Sequence, residues 1–189
     1  PDTDNVTALT AGILRAEGML KNAATMNLNV EPNGSGFEAY VEIINETGHK
    51  LPSGYPEGRR MWINLSAYDI HDDLIYESGA YDTSTAILNM DGAKIYEAKL
   101  GMSEAIAAAA SDATKTYVAG ESFHFVLNNM VVKDNRIPPR GFTNANFDSI
   151  QSPPVGYTYE DGAYSDITEY YLPDNTYRIN VKLLYQTTT

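Results

Sequence analysis

The C-terminal run NTYRINVKLLYQTTT, Asn175 to Thr189, places Tyr177, Ile179, Val181, Leu183 and Tyr185 at every second position. Successive side chains of an extended strand point to opposite faces, so this spacing gathers those residues on one face. On a helix of about 3.6 residues per turn they would scatter around the axis. The constraint is strong because the pattern recurs. NLNVEP and then Phe37–Asn45 (FEAYVEIIN) alternate in the same way, with the hairpin signal EPNGSG between them. Met61–Asp69 (MWINLSAYD), LIYESGAYD after a turn at IHDD, and Glu121–Val132 (ESFHFVLNNMVV) extend the series. The expected fold class is mainly β: an antiparallel, Ig-like or jelly-roll-like β-sandwich of about five to eight strands.

A different period precedes the strands. In TDNVTALTAGILRAEGMLKNAATM, from Thr3, the residues Val6, Leu9, Ile13, Leu14 and Met19 or Leu20 fall at helical spacing, and Thr3 or Asp4 can cap the start. Gly12 and Gly18 weaken this helix by about 1 kcal/mol each relative to Ala, so it is expected to need docking against the remainder. The reading is an N-terminal helix or linker over 1–26 and a sandwich domain over 27–189. Two stretches interrupt the alternation. Ser103–Lys115 is Ala-rich, a short surface helix or a flexible loop. Lys133–Asp166 carries Pro138, Pro139, Pro153 and Pro154 and is unsuited to a central strand. Connections of that length are usually functional or lie flat against the domain.

Bulk composition removes several function classes. Thirteen Lys and Arg against 25 Asp and Glu give a formal charge of −12, which argues against nucleic acid as a partner. The absence of Cys excludes disulfides, thiolate metal sites, cysteine nucleophiles and covalent haem attachment through C-x-x-C-H within this chain. No apolar run approaches the ~18 residues of a transmembrane helix. The sequence begins at Pro1 without Met, as a mature product or a piece of a longer chain would.

Against that acidic background, GHKLPSGYPEGRRMW (Gly48–Trp62) concentrates a histidine, three cations and the chain's one Trp. Gly48 is expected to take a backbone conformation closed to other residues, and Pro52 to stop strand pairing. His49 is then presented from a loop at the sandwich edge. Its imidazole suits a metal or haem-iron ligand, a group titrating near neutrality, or a hydrogen bond that fixes the turn, the last being the commonest use. Lys50, Arg59 and Arg60 in this loop, with Lys133, Arg136 and Arg140 in the Pro-rich one, make up six of the thirteen cations. Arg59, Arg60, Arg136 and Arg140 either clamp the loops internally, the commoner role, or hold an external carboxylate. Asp69, Asp72 and Asp73 in one turn, and Asp161 in a Gly-containing loop, are the residue type Ca²⁺ requires, although a solvated acidic turn is the commoner case. No H-E-x-x-H, G-x-S-x-G or phosphate loop occurs. His71 is expected to be exposed in its turn, and His124 to alternate with Phe123 and Phe125 along a strand. No catalytic residue stands out, and the chain is expected not to be an enzyme by itself.

Taken in order, GHKLPSGYPEGRRMWINL, YESGAYD, KIYEAKLG, SFHFVLNN, KDNRIPPRGF and PPVGYTYEDGAYSD resemble the C-terminal β-domain of bacterial multihaem c-type cytochromes, from about Arg15 to Gln186. RAEGMLKNAA resembles the helix that links that domain to the haem-bearing part. The resemblance implies a secreted, extracytoplasmic module whose partner is a multihaem cytochrome domain or chain. Because C-x-x-C-H is absent, any haem c belongs to that neighbour. His49 would then be a distal ligand, and the four arginines would pair with haem propionates. Two other readings stand beside it. One is the subunit of an extracellular homopolymeric filament, joined by strand addition at edges such as Tyr177–Thr189. The other is a Ca²⁺- or carbohydrate-binding module.

Overall fold

A computed structural model describes residues 3–55 and 57–187. In chain order its elements are α1 (Thr3–Lys21), β1 (Ala24–Pro32), β2 (Gly36–Asn45), β3 (Arg60–Tyr68), β4 (Leu74–Ser78), β5 (Tyr81–Asp82), β6 (Ile87–Leu88), β7 (Ile95–Met102), α2 (Glu104–Ala110), β8 (Gly120–Glu121), β9 (Met130–Asp134), α3 (Asn144–Ser149), β10 (Ser165–Pro173) and β11 (Arg178–Gln186). The strands form an antiparallel sandwich. One sheet runs β1–β2–β10; the other runs β11–β3–β7–β8, with β4 also on β3 and β9 also on β7. The second edge of β3 is shared. Its first residues pair with β7 and its last with β4.

The core follows from the alternation. Ala39, Val41 and Ile43 of β2 face Met61, Ile63, Leu65 and Ala67 of β3, and Tyr170 and Leu172 of β10 complete the layer. The other face of β3 is also covered. Trp62 packs with Leu88 and Ile95 beneath the β5–β6 hairpin, and its Nε1 donates to the Gly79 carbonyl at 3.1 Å. Asn64, on the same face, donates to the carbonyls of Ser78 and Gly79. A strand buried on both faces has no solvent side, which is why MWINLSAY reads less cleanly than β2.

Several expectations need correction. LIYESGAYD is not one strand. It breaks at Gly79, whose φ of 68° and close approach to the Ile63 carbonyl leave no room for a side chain. Glu121–Val132 is not a strand either: β8 and β9 flank a turn that exposes Phe123, Phe125 and Val126, so periodicity alone misled there. Two strands had no alternating signal. β7 joins β3 to β8 and β9, and β10 turns Asp166 and Thr168 inward beside Tyr170 and Leu172, so its buried face is half polar. The helix ends at Lys21, and Ala24 already pairs with Asn45, earlier than a helix reaching Met26 allows. Gly48 is not in the left-handed region, whereas Gly54 is, at φ 86°. Most unexpectedly, α1 buries no residue at all; its apolar stripe is exposed from Val6 to Leu20.

The Ala-rich stretch resolves into α2, capped by Ser103. The Pro-rich connection lies packed against the domain. Ile137 and Phe142 are fully buried, and the Phe142 ring meets those of Phe147 and Tyr159 edge-on.

Candidate functional site

Strand β2 delivers Asn45 to the buried face at the point where the chain leaves the sheet. Asn45 is fully buried. Its Nδ2 is surrounded by the carbonyls of His49 at 2.8 Å, Ile137 at 2.9 Å and Pro138 at 3.0 Å. Its Oδ1 accepts from the Thr47 amide at 2.8 Å and the Thr47 hydroxyl at 2.7 Å. One amide side chain thus ties the GHKLP loop to the IPPRG loop. Backbone bonds between Leu51 and Ile137, 2.9 Å each way, reinforce the junction.

Lys50 and Arg136 are held a few residues further on by one carboxylate. Asp134, 4 % exposed, receives Lys50 Nζ at 2.7 Å and a two-pronged grip from Arg136, Nε and Nη2 at 2.8 Å each. Burial pushes the Asp134 carboxyl up, but the hydrogen bonds and charges of Arg136 and Lys50 outweigh it and hold the group below the ordinary carboxylate value. Lys50 also donates to the Pro153 carbonyl at 3.3 Å. On the surface Arg140 pairs with Glu46 at 2.9 Å and lies over the Tyr164 ring. That bond and one from Thr25 lower the Glu46 pKa.

This framework fixes His49 at the surface. Its ring is exposed, and Nδ1 lies 3.2 Å from the Thr47 hydroxyl oxygen. That hydroxyl has a single hydrogen and two other close neighbours, Asn45 Oδ1 and the His49 carbonyl at 2.8 Å, both of which can only accept. The hydrogen goes to one of those, and the oxygen's lone pair faces Nδ1. The neutral imidazole therefore carries its proton on Nδ1 and offers the Nε2 lone pair outward. No described residue contacts Nε2 through a hydrogen bond. A hydrogen bond at one ring nitrogen that orients the other is the arrangement found around metal-ligating histidines.

The remaining sequence candidates divide by position. Arg59 and Arg60 open β3 at the same end as His49. Arg59 donates to the Ser53 carbonyl at 3.3 Å and Arg60 to Gln186 Oε1 at 2.9 Å, and among the described residues neither has a carboxylate partner. Asp69, Asp72 and Asp73 lie in the β3–β4 turn, at the opposite end of β3. Asp69 accepts the amides of His71 and Asp73, and Asp72 pairs with Arg178. Asp161 sits apart from them, in the loop before β10, accepting the Asn144 amide and side chain, which lower its pKa. No group of three or more His, Asp or Glu placed to hold a metal occurs among the described residues. His71 is exposed in its turn, and His124 stands in the 122–129 turn edge-on to Tyr117.

Sequence reasoning passed over Asn45, Thr47 and Asp134. A signal existed for the first, since Asn45 falls on the inward side of the Ala39, Val41, Ile43 alternation, where a polar residue needs a reason. It also passed over a second buried network. Asp166 accepts from Lys94 at 2.7 Å, Tyr96 OH at 2.9 Å and Tyr157 OH at 2.7 Å. Burial, and then the Asp166 charge, push the Tyr96 phenol far up, so it remains a neutral donor linking β7 to β10.

No family model matches the chain, and no curated protein matches it. Among solved structures it is similar to a penta-heme cytochrome c552 from Thermochromatium tepidum, with a TM-score of 0.55 at 16% identity. The likeness covers 91% of this chain and 34% of that one, so the chain spans about a third of the protein it matches. At this identity the shared property is the fold: an antiparallel β-sandwich of the kind found within a multihaem cytochrome.

Proposed function

We propose that this domain is a non-catalytic extracytoplasmic module that docks onto or covers a multihaem electron-transfer protein, with His49 as an axial ligand to a haem of a neighbouring domain or chain. The observation that carries the reading is the free, outward Nε2 of an exposed imidazole whose tautomer is set by Thr47 and whose loop is anchored by Asn45. The fold likeness to a pentahaem cytochrome supports it. The donor set fits the group, because a neutral imidazole is a common axial ligand of haem iron. Of the four arginines, Arg136 is occupied by Asp134 and Arg140 by Glu46; Arg60, which has no carboxylate partner among the described residues, is the one assigned to a propionate. No helix among the described residues is long and apolar enough to cross a membrane.

The test titrates the protein with a soluble ferric haem peptide that has one open axial position, following the Soret band. Wild type should convert the peptide to a low-spin spectrum, and His49→Ala should lose that conversion. His71→Ala and His124→Ala should retain it. An equal response from all three variants, or none from wild type, would exclude His49 as the ligand.

A further inference from the structure

Arg59 occupies a prepared position. Its Nη1 donates to the Ser53 carbonyl, and its guanidinium lies against Gly54, where the absence of a Cβ makes the space it fills. Its Nε and Nη2 hydrogens form the edge that grips a carboxylate through two parallel bonds, and they have no partner among the described residues. In a chain with 25 acids and 13 bases, a half-buried arginine without a carboxylate is unusual.

A cavity of about 510 Å³ opens beside it, between the end of α1, β1, the loop at Pro52 and β11. It exists because the sandwich is not closed on this side. Met26, Leu28 and Val30 of β1 face inward yet remain 38, 43 and 36% exposed. Met26, Leu51, Met61 and Leu183 make the walls apolar, and the residues lining the cavity that are charged at neutral pH are Lys21 and Arg59, both cationic. The neighbouring depressions differ: the one bounded by Arg60 and Lys99, which Arg59 also borders, contains Glu57, Glu97 and Glu121, and the one beside Asp134 contains Asp148. The volume lies within the ~300–1,000 Å³ typical of small-molecule sites.

We propose that this cavity binds an amphipathic carboxylate, with the aliphatic body between β1 and β11 and the carboxylate on Arg59, assisted by Lys21. The site is separate from His49 and does not depend on a haem partner.

Laurate is the probe, and dodecanol, of the same chain length without the charge, is the control, both followed by calorimetry. Laurate should bind at least ~10-fold more tightly than dodecanol, the effect of a charge-assisted paired hydrogen bond. Arg59→Gln should erase that preference, and Arg59→Lys should keep only part of it, because an ammonium cannot form the fork. Lys21→Gln, on an exposed helix end, should weaken laurate without disturbing the fold, and Leu183→Trp should block both probes. His49→Ala should change neither, which separates this site from the haem-ligand reading. Equal affinity for laurate and dodecanol, or undiminished laurate binding in Arg59→Gln and Lys21→Gln, would overturn the proposal.

Discussion

Asp134 and Asn45 do unequal work in the same junction, and the difference is chemical. Asn45 is neutral and supplies the donor for the Pro138 carbonyl, and a second one for that of Ile137. Asp134 neutralises two cations, and one of them, Lys50, is itself only 6% exposed. Removing the carboxylate charge leaves that ammonium buried and unpaired, so Asp134→Asn should lower stability by about 3 kcal/mol at neutral pH, measured by urea denaturation. The pH dependence has a definite sign. The Asp134 pKa is depressed below its ordinary 3.8 in the folded protein. Its contribution is therefore fully present above about pH 4, and is lost as pH falls through the depressed folded value. The gap between wild type and Asp134→Asn should be constant from pH 7 to about 5 and close on further acidification. A gap that widens with acid would contradict the assignment. At this scale the sequence exposed His49 and the arginines as chemically notable. It could not say which arginines were occupied, because Glu46 reaches Arg140 from 94 residues away and Asp134, though only two residues from Arg136, is aimed at it by the conformation of the loop.

Helix α1 and strand β2 stand at opposite ends of the range of stability. The helical period of α1 was legible, and so was its weakness, with two glycines in its length. It buries nothing, so tertiary packing adds little to its intrinsic stability, and an isolated helix of this length is marginal in water. Hydrogen exchange should show α1 amides exchanging within seconds, while β2 and β3 exchange only through global unfolding. Strong protection of α1 in a dilute monomeric sample would refute that. The strands missed by their pattern share a cause. β10 carries Asp166 and Thr168 on its inward face, and β7 buries residues on both faces, Ile95 and Tyr96 at one end and Gly101 and Met102 at the other, so neither shows alternating apolar residues. The turn over 122–129 errs the other way, since its apolar residues alternate but face solvent.

Across the whole molecule, the first and last elements have contrasting roles. Terminal strand β11 pairs with β3 along its full length and contributes Ile179, Val181, Leu183 and Tyr185 to the main core. Removing residues 178–189 should abolish the cooperative thermal transition, whereas removing residues 3–21 should leave it within a few degrees, both followed by circular dichroism. A folded β11 deletion would mean that the sheet closes without its edge strand. Strand periodicity, the N-terminal helix and the core faces of β2 and β11 were readable from the chain alone, because a two-residue period is a local property of the backbone. So was the exclusion of covalent haem attachment through C-x-x-C-H, because the chain contains no cysteine. The tautomer of His49, the occupied and open arginines and the unclosed side of the sandwich were decided only by tertiary structure. Some depend on groups far apart in sequence, as when Asn45 meets a carbonyl 92 residues further on, and others, such as Thr47 with His49 and Asp134 with Arg136, on the loop conformation that turns near neighbours toward each other, which the local pattern does not record.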